Sequence, residues 1–377
     1  MRAKRAVLAT VAAVVVSTAG VSPVAAAGDG DRFGRAIERG IDQIIAETMA
    51  DTNNPGMAVS VHIPGRGSYV KAYGVADVRT GAPYRLDGHI RIASITKTFT
   101  ATLILRLVDQ GVIRLEDKLS QYVKGIRYGP RITVRQLLNM TAGVFSYTED
   151  EAFGEAFDRD PLLRFTPADA LAIIRAHEPD FPPGEGWHYS DSNYVLLELI
   201  AERATGRPIA DLMQHEVIGP LGLTGTSYPT TPAIPRPHPR GYVEQPDGSL
   251  RDVTLVNPGI AGGAGAMIST LRDLTTYATQ LADGTILKPR TQRERLQFVD
   301  TQLSPVLSTG YGLGIFEVQG FVGHDGAIYG ATTAMFHLPE KDATIVVIGN
   351  QSSNFTTPAL TAFLSIAQLL FPGRFPA

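Results

Sequence analysis

Two serine–lysine pairs with the spacing Ser-x-x-Lys occur in this 377-residue chain, Ser68–Lys71 and Ser94–Lys97. A serine that attacks a carbonyl group needs a base within hydrogen-bond reach, and residues three apart share one face of a helix. Ser68 and Lys71 lie in an expected strand, where an odd offset sends the side chains to opposite faces. Ser94 and Lys97 begin an expected helix that is apolar almost all round, and burial there would lower the lysine pKa. The sequence favours Ser94 and Lys97 as nucleophile and base, with an N-cap role for Ser94 as the alternative.

Two further motifs have residue types that suit the same chemistry. The segment Tyr189-Ser-Asp191 opens another expected helix, and no other tyrosine in the chain is followed two residues later by Asp or Asn. The segment His324-Asp325-Gly326 lies just ahead of an expected strand and holds the only His-x-Gly. Taken singly, each motif has a plainer explanation: a core tyrosine followed by an N-cap aspartate, and a turn with an incidental histidine.

The elements that must position these residues follow from the hydrophobic periodicity. Apolar residues at helical spacing predict several helices, and two short β-rich runs separated by PGRG predict a hairpin. The expected helices are 31–50, 94–110, about 167–177, about 192–205 and a last one from about 358; the hairpin runs are GMAVSVHI and SYVKAYGV.

After the glycine-rich run 259–265 the pattern returns to strands. The expected strands are YGLGIFEV, AIYGATTAMFHL and ATIVVIGN, whereas the proline-rich TTPAIPRPHPRGY is expected to be an irregular loop. The fold class is therefore α+β: both ends of the chain, about 31–93 and 255–371, build one antiparallel sheet flanked by helices. A mainly helical region of about 94–254 is inserted between them.

The three motifs, in this order, resemble the three signatures of the serine β-lactamase and penicillin-binding protein superfamily. Further segments resemble that family in the same order: PRITVRQLLNMTAG, GPLGLTGTSYP, GGAGAMISTLRDL and YGLGI. The resemblance covers about residues 35–371 and is closest to the branch with actinobacterial D-alanyl-D-alanine carboxypeptidases, class C β-lactamases and related esterases and D-amidases. It implies a β-lactamase/DD-peptidase-like fold.

This resemblance implies a role for each motif residue. Ser94 would attack the carbonyl carbon, and Lys97 would accept or relay its proton. Tyr189 matches the tyrosine that passes a proton to the leaving group. Asp191 stands where the family often has Asn, and His324 replaces the lysine of the Lys-Thr-Gly signature.

The strand after His324 would complete the site. The resemblance implies an oxyanion hole formed by the backbone N–H groups of Ala327 and Ser94. Gly326 and Asp325 would line the substrate-binding side. No metal and no cofactor are implied.

The first 27 residues have the pattern of an export signal. Export, together with the His-x-Gly motif, favours a D-alanyl-D-alanine carboxypeptidase-type hydrolase that acts on peptidoglycan stem peptides. The alternatives are an esterase, a β-lactamase or a D-amino-acid amidase, with β-lactams as inhibitors or substrates. Two departures weaken the carboxypeptidase hypothesis. Asp325 stands where Thr or Ser is common, and it would repel an anionic substrate end. Ile315 and Phe316 follow Gly314, where related carboxypeptidases have a basic residue; a protonated His324 or a loop arginine could substitute.

Other classes of protein are disfavoured. No Gly-x-Ser-x-Gly elbow occurs, which argues against an α/β-hydrolase. His215-Glu216 lacks the second histidine of a zinc helix motif. The glycine run 259–265 follows no strand as a nucleotide-binding turn would, so it predicts close backbone approach. A catalytically silent peptidoglycan-binding protein is the remaining rival outside enzymes.

The first 27 residues combine a basic start, an apolar stretch and Ala25-Ala26-Ala27, a pattern typical of a cleaved signal peptide; the alternative is a membrane anchor. Cleavage would remove three positive charges and change the net charge from −3 to −6. Residues 28–377 would then form the hydrolase domain, exported, free of the membrane and monomeric. The charge gives no reason to expect a nucleic-acid partner. The chain has no cysteine, so disulfides and thiol catalysis are excluded.

Overall fold

A computed structural model describes residues 33–304, 306–352 and 357–376, so the expected signal peptide lies outside the described residues. Most strands lie in the first and last thirds of the described chain. The strands are β1 (Gly56–Ile63), β2 (Gly67–Asp77), β3 (Ala82–Pro83), β4 (His89–Arg91), β5 (Tyr242–Glu244), β6 (Leu250–Asp252), β7 (Ile268–Thr270), β8 (Val299–Asp300), β9 (Thr309–Tyr311), β10 (Phe316–Val318), β11 (Phe321–Ile328), β12 (Ala331–Leu338), β13 (Ala343–Gly349) and β14 (Gln351–Ser352).

The α-helices of the described residues are distributed along the whole chain. They are α1 (Arg35–Asp51), α2 (Thr96–Asp109), α3 (Leu119–Tyr122), α4 (Val134–Leu138), α5 (Glu151–Arg159), α6 (Pro167–Ala176), α7 (Asp191–Thr205), α8 (Ile209–Met213), α9 (Leu271–Asp283), α10 (Pro289–Arg295) and α11 (Pro358–Leu370). None of these helices in the described part of the chain is long and apolar enough to cross a membrane.

Nine strands form one antiparallel sheet in the order β3-β2-β1-β13-β12-β11-β10-β9-β8. The N-terminal hairpin therefore pairs with strands from the C-terminal third, with Val59 opposite Val347. Strands β12 and β13 are buried along their whole length, because helices cover both faces.

The two faces of the sheet are covered by different helices. On one face, Phe336 of β12 stacks on Phe363 of α11, with ring centroids 4.3 Å apart. On the other face, Thr344 of β13 lies 3.2 Å from Thr279 of α9, measured between the hydroxyl oxygens. His324 of β11 is paired with Met335 of β12. Two residues further along β12, His337 is paired with Thr344 of β13. Because side chains alternate along a strand, His324 lies on the α9 face.

Much of the expected architecture is confirmed. The hairpin is β1–β2, the five expected helices are α1, α2, α6, α7 and α11, and the α+β sheet joins both chain ends. The helix at 94–110 begins with a 3-10 turn, Ala93–Ile95, before α2.

Three expectations about strands were wrong. The run YGLGIFEV is not one strand, because residues 312–315 separate the end of β9 from the start of β10. The run 327–338 is not one strand, because it turns at 329–330 between β11 and β12. His324 lies inside β11 rather than ahead of a strand, since pairing with β12 extends back to Val322. Apart from these three, the inserted region contains two short strands, β5 and β6, which join β14 in a small sheet whose β5–β14 pair is parallel.

Candidate active site

Ser94 and Lys97 are placed by the short transition from β4 into α2. Ser94 lies in the 3-10 turn and Lys97 in the first turn of the helix, and Lys97 Nζ is 3.1 Å from Ser94 Oγ. The residue before the serine, Ala93, has φ of +47°, a left-handed conformation that is costly for a residue with a Cβ. The surrounding packing thus holds Ser94 on a strained turn.

The Lys97 side chain is fully buried and its ammonium group has three hydrogen-bond partners. Besides Ser94 Oγ, it donates to Asp191 Oδ1 at 2.6 Å and to the backbone oxygen of Ala264 at 2.9 Å. Burial lowers the pKa of Lys97, while the Asp191 carboxylate opposes this effect. The lysine is therefore both hydrogen-bonded to the serine and easier to deprotonate than a lysine in water.

Tyr189 covers the lysine from the side. Lys97 Nζ is 4.8 Å from the centroid of the Tyr189 ring. Burial raises the pKa of the tyrosine well above 10, and proximity to Ser94 counteracts this. The hydroxyl has no partner at full hydrogen-bond geometry in the part of the chain that the structure describes. A buried phenol beside the serine that is free to donate can carry a proton to or from a reacting group.

His324 is neutral and cannot serve as the cation that a protonated histidine would supply. Burial, together with the charge of Lys97, lowers its pKa to about 3. Nδ1 lies 2.6 Å from the backbone oxygen of Asp325, and Nε2 lies 3.3 Å from the hydroxyl of Tyr311. A carbonyl oxygen only accepts, so Nδ1 carries the proton and Nε2 accepts from Tyr311.

Asp325 is a buried carboxylate that forms no ion pair with a lysine or arginine among the described residues. The residue is 6% exposed, and no hydrogen bond from another side chain in the described part of the chain reaches it. Burial raises its pKa to about 6, and the nearby Lys97 charge lowers it. No arginine within residues 33–304, 306–352 and 357–376 forms an ion pair with Asp325 or Asp191, so the postulated loop arginine is not found there.

Gly326 lies in close contact with the serine turn. A Cβ atom at this position would be 2.9 Å from Ser94 N and 2.6 Å from Ile92 O, closer than real side chains approach. Strand β10 pairs with β11 only as far as Gly323. The edge of β11 from His324 to Ala327 is thus open beside Ser94, as an oxyanion hole formed by the Ser94 and Ala327 amides requires.

The second Ser-x-x-Lys pair is a surface feature of β2. Lys71 donates to Asp42 at 2.6 Å, and Ser68 lies 2.6 Å from a ring nitrogen of His62. Each side chain has its own partner on another element. The structure therefore leaves Ser94–Lys97 as the pair with nucleophile–base geometry.

Several residues of the site carry no sequence motif. Thr148 donates to the second oxygen of Asp191 at 2.9 Å, and Ser146 accepts from the Asp191 amide. The Ala264 carbonyl belongs to the glycine run, whose predicted close approach is observed: a Cβ at Gly263 would be 2.8 Å from the Tyr194 backbone oxygen. That run was the only signal in the sequence for this contact.

The arrangement brings together a serine hydroxyl, a buried amine, a buried phenol and an open strand edge, the kinds of group that acyl transfer through serine requires. His215 and Glu216 are not part of any group with metal-binding geometry, and no such group occurs in the described residues.

The comparisons agree with this class of site. The family model described as Beta-lactamase matches residues 41–368, and the chain belongs to that family. A solved structure of a D-stereospecific amidohydrolase from Streptomyces sp. is similar, with 33% identity and a TM-score of 0.78; the match covers 89% of this chain and 98% of that one.

Two curated relatives point to different substrates. D-alanyl-D-alanine-carboxypeptidase/endopeptidase AmpH of Escherichia coli is 26% identical, and the match covers 83% of each chain. The D-aminopeptidase of Brucella anthropi is 27% identical over 82% of this chain and 59% of its own length. The chain is a β-lactamase-family serine hydrolase, and the relatives leave the substrate open.

Proposed function

We propose that this protein hydrolyses amides or esters of D-amino acids that carry a free ammonium group, through an acyl-enzyme on Ser94. One observation carries this proposal: Asp325 is a buried carboxylate of the site, and within residues 33–304, 306–352 and 357–376 no lysine or arginine forms an ion pair with it. The Lys97 ammonium is already engaged by Asp191. A positive charge on the substrate would compensate Asp325, because unpaired buried charges are costly.

The second candidate is the D-alanyl-D-alanine carboxypeptidase expected from the sequence. It is disfavoured at neutral pH because the substrate ends in a carboxylate, His324 is neutral and Asp325 is ionised. The pKa of Asp325 is about 6, so the carboxyl group becomes protonated below this pH and no longer repels the carboxylate of the substrate. Carboxypeptidase activity that appears only in acid would favour this candidate.

The proposed mechanism uses the residues in contact. Ser94 Oγ attacks the carbonyl carbon while its proton passes to Lys97 in its deprotonated, neutral form, and the amides of Ser94 and Ala327 stabilise the oxyanion. The C–N or C–O bond then breaks, and Tyr189 gives a proton to the leaving amine or alcohol and is reprotonated from Lys97. Water next attacks the acyl ester, releases the free acid and restores the Ser94 hydroxyl.

The test compares three substrates: a D-amino-acid p-nitroanilide with a free amine, its N-acetylated form, and a peptide ending in D-Ala-D-Ala. The enzymes are the wild type, Ser94→Ala and Asp325→Asn. We expect the wild type to prefer the free amine and Ser94→Ala to be inactive. Asp325→Asn should reduce this preference about tenfold, the value of one lost charged contact.

Two results would contradict the proposal. Equal activity of Ser94→Ala and the wild type would exclude Ser94 as nucleophile. Release of D-alanine at pH 7.5, without cleavage of the p-nitroanilide, would transfer the assignment to the carboxypeptidase. Acylation of Ser94 by a β-lactam would increase the mass of the intact protein. Measuring this mass tests the nucleophile independently of the substrate.

Export is part of the proposal, because the free D-amino-acid derivatives would be met outside the cell. The basic start and Ala25-Ala26-Ala27 support cleavage before Gly28. The N-terminal sequence of protein recovered from the culture medium tests this. Protein that stays in the membrane fraction and retains residues 1–27 would instead support an anchor. The mass of the protein in solution tests the expected monomer.

A further inference from the structure

A second buried carboxylate lies on α7, two helical turns beyond Asp191. Glu198 is seven residues after Asp191, so both side chains lie on the same face of the helix. Asp191 contacts Lys97 directly. Glu198 does not, and the mechanism above assigns it no role.

The Glu198 carboxylate binds the backbone of the glycine run. Its Oε2 atom accepts from Gly263 N at 2.6 Å and from the hydroxyl of Tyr228 at 3.2 Å. The neighbouring Gly262 has φ of +47°, and a Cβ there would be 2.7 Å from the same carboxylate oxygen. The backbone thus approaches Glu198 in a way that only glycine permits.

The same segment is held from the opposite side by α2. The Thr100 hydroxyl donates to the Gly263 backbone oxygen at 2.7 Å. One residue further on, the Ala264 oxygen accepts from Lys97 Nζ at 2.9 Å. Residues 262–264 are therefore fixed between α7 and α2. The carbonyl of the last residue, Ala264, accepts one of the hydrogen bonds of Lys97.

We propose that Glu198 is a positioning residue, which holds residues 262–264 so that the Ala264 carbonyl keeps Lys97 Nζ directed at Ser94. This inference rests on the proposed acyl-enzyme chemistry but not on the substrate class. Removal of the carboxylate would release the Gly263 amide and let the Ala264 carbonyl move. Lys97 would then lose one of its three partners.

The experiment measures kcat and KM for p-nitrophenyl acetate, with the folded fraction set by active-site titration. Glu198→Ala should lower kcat about 10- to 100-fold, the cost of misplacing a catalytic group by about 1 Å. KM should change less than about threefold, because Glu198 does not touch the substrate. Glu198→Gln keeps an oxygen acceptor for Gly263 N and should restore most of kcat.

Two further variants keep the test decisive if Glu198→Ala does not fold. Thr100→Val removes the other anchor of the segment and should also lower kcat. Glu202→Gln, on the same helix, is the control, since Glu202 caps the next helix at Ile209 N and should leave kcat unchanged.

Each result decides the matter. An unchanged kcat in folded Glu198→Ala or Thr100→Val would overturn the positioning role. A Gln variant as impaired as the Ala variant would overturn the hydrogen-bond explanation. An inactive wild type would instead contradict the proposed acyl-enzyme function.

Discussion

Lys97 Nζ lies 2.6 Å from Asp191 Oδ1, closer than the 3.1 Å that separates it from Ser94 Oγ. The lysine side chain is fully buried, whereas 21% of the aspartate side chain is exposed. The carboxylate thus favours the ammonium form in an environment that disfavours it. In the proposed mechanism, the balance between the two effects sets the pH at which Lys97 accepts the serine proton.

Asp191→Asn should move the rising limb of kcat/KM to lower pH. The amide keeps the hydrogen bond but removes the charge that stabilises the ammonium, so the Lys97 pKa falls; opposite charges at this distance shift a pKa by about 1–3 units. The pH profile with p-nitrophenyl acetate measures this. Asp87→Asn, which breaks an exposed pair with Arg85, is the control. A limb that stays in place would show that Lys97 is not the titrating base.

Gly326→Ala should abolish most activity. The added methyl group would push β11 away from the Ser94 amide and spoil the oxyanion position, with an expected loss in kcat of about 100-fold or more. Gly154→Ala is the control, because nothing lies within 4 Å of its Cβ position and it is within α5. That change should leave kcat intact. A Gly326→Ala enzyme of wild-type kcat would exclude the proposed oxyanion hole.

His188 should contribute stability that depends on pH. Its hydrogen bonds to Asp180 and Glu149, at 2.7 and 3.1 Å, raise its pKa to about 10. A raised histidine pKa stabilises the folded state fully below about pH 6.5, and the contribution declines as pH rises towards 10. His188→Gln should therefore cost about 2 kcal/mol at pH 6, after allowance for solvent screening, and less at pH 9.

Urea unfolding of both proteins at the two pH values measures this difference. A deficit that is the same at pH 6 and pH 9 would show that the charge of His188 is not the cause. His62→Gln is a suitable control, since His62 is exposed and bonded only to Ser68.

The stability contribution of Glu198 should also fall as pH rises, but in a lower pH range than that of His188. Burial raises its pKa from 4.5 to about 7, so the folded state binds the proton more tightly than the unfolded state. The free energy of unfolding, relative to Glu198→Gln, should therefore fall as pH rises from about 4.5 to about 7, by about 3 kcal/mol. Chemical denaturation at pH 5 and pH 7.5 measures it, and a flat difference would mean that Glu198 does not titrate in this window.

The sequence predicted the helices and the β1–β2 hairpin because their apolar periodicity is local. It misjudged β11 and β12, since β12 is buried along its whole length and fully buried strands do not alternate. It also missed β5, in which Tyr242 pairs with the distant Gln351 of β14, and β6, which pairs with β5. Short strands of this kind are set by distant pairing rather than by their own residues.

By itself, the sequence determined which residue types were available for chemistry and which helix starts would present Ser94 and Tyr189. Only the tertiary structure decided their charges and partners. Burial lowers the pKa of His324 to about 3 and raises the pKa of Asp325 to about 6, so both side chains carry a charge less readily than they would in water. The carbonyl of Ala264 and the carboxylate of Glu198 came to the site through folding alone, because backbone groups and long-range contacts leave no pattern of side chains along the chain.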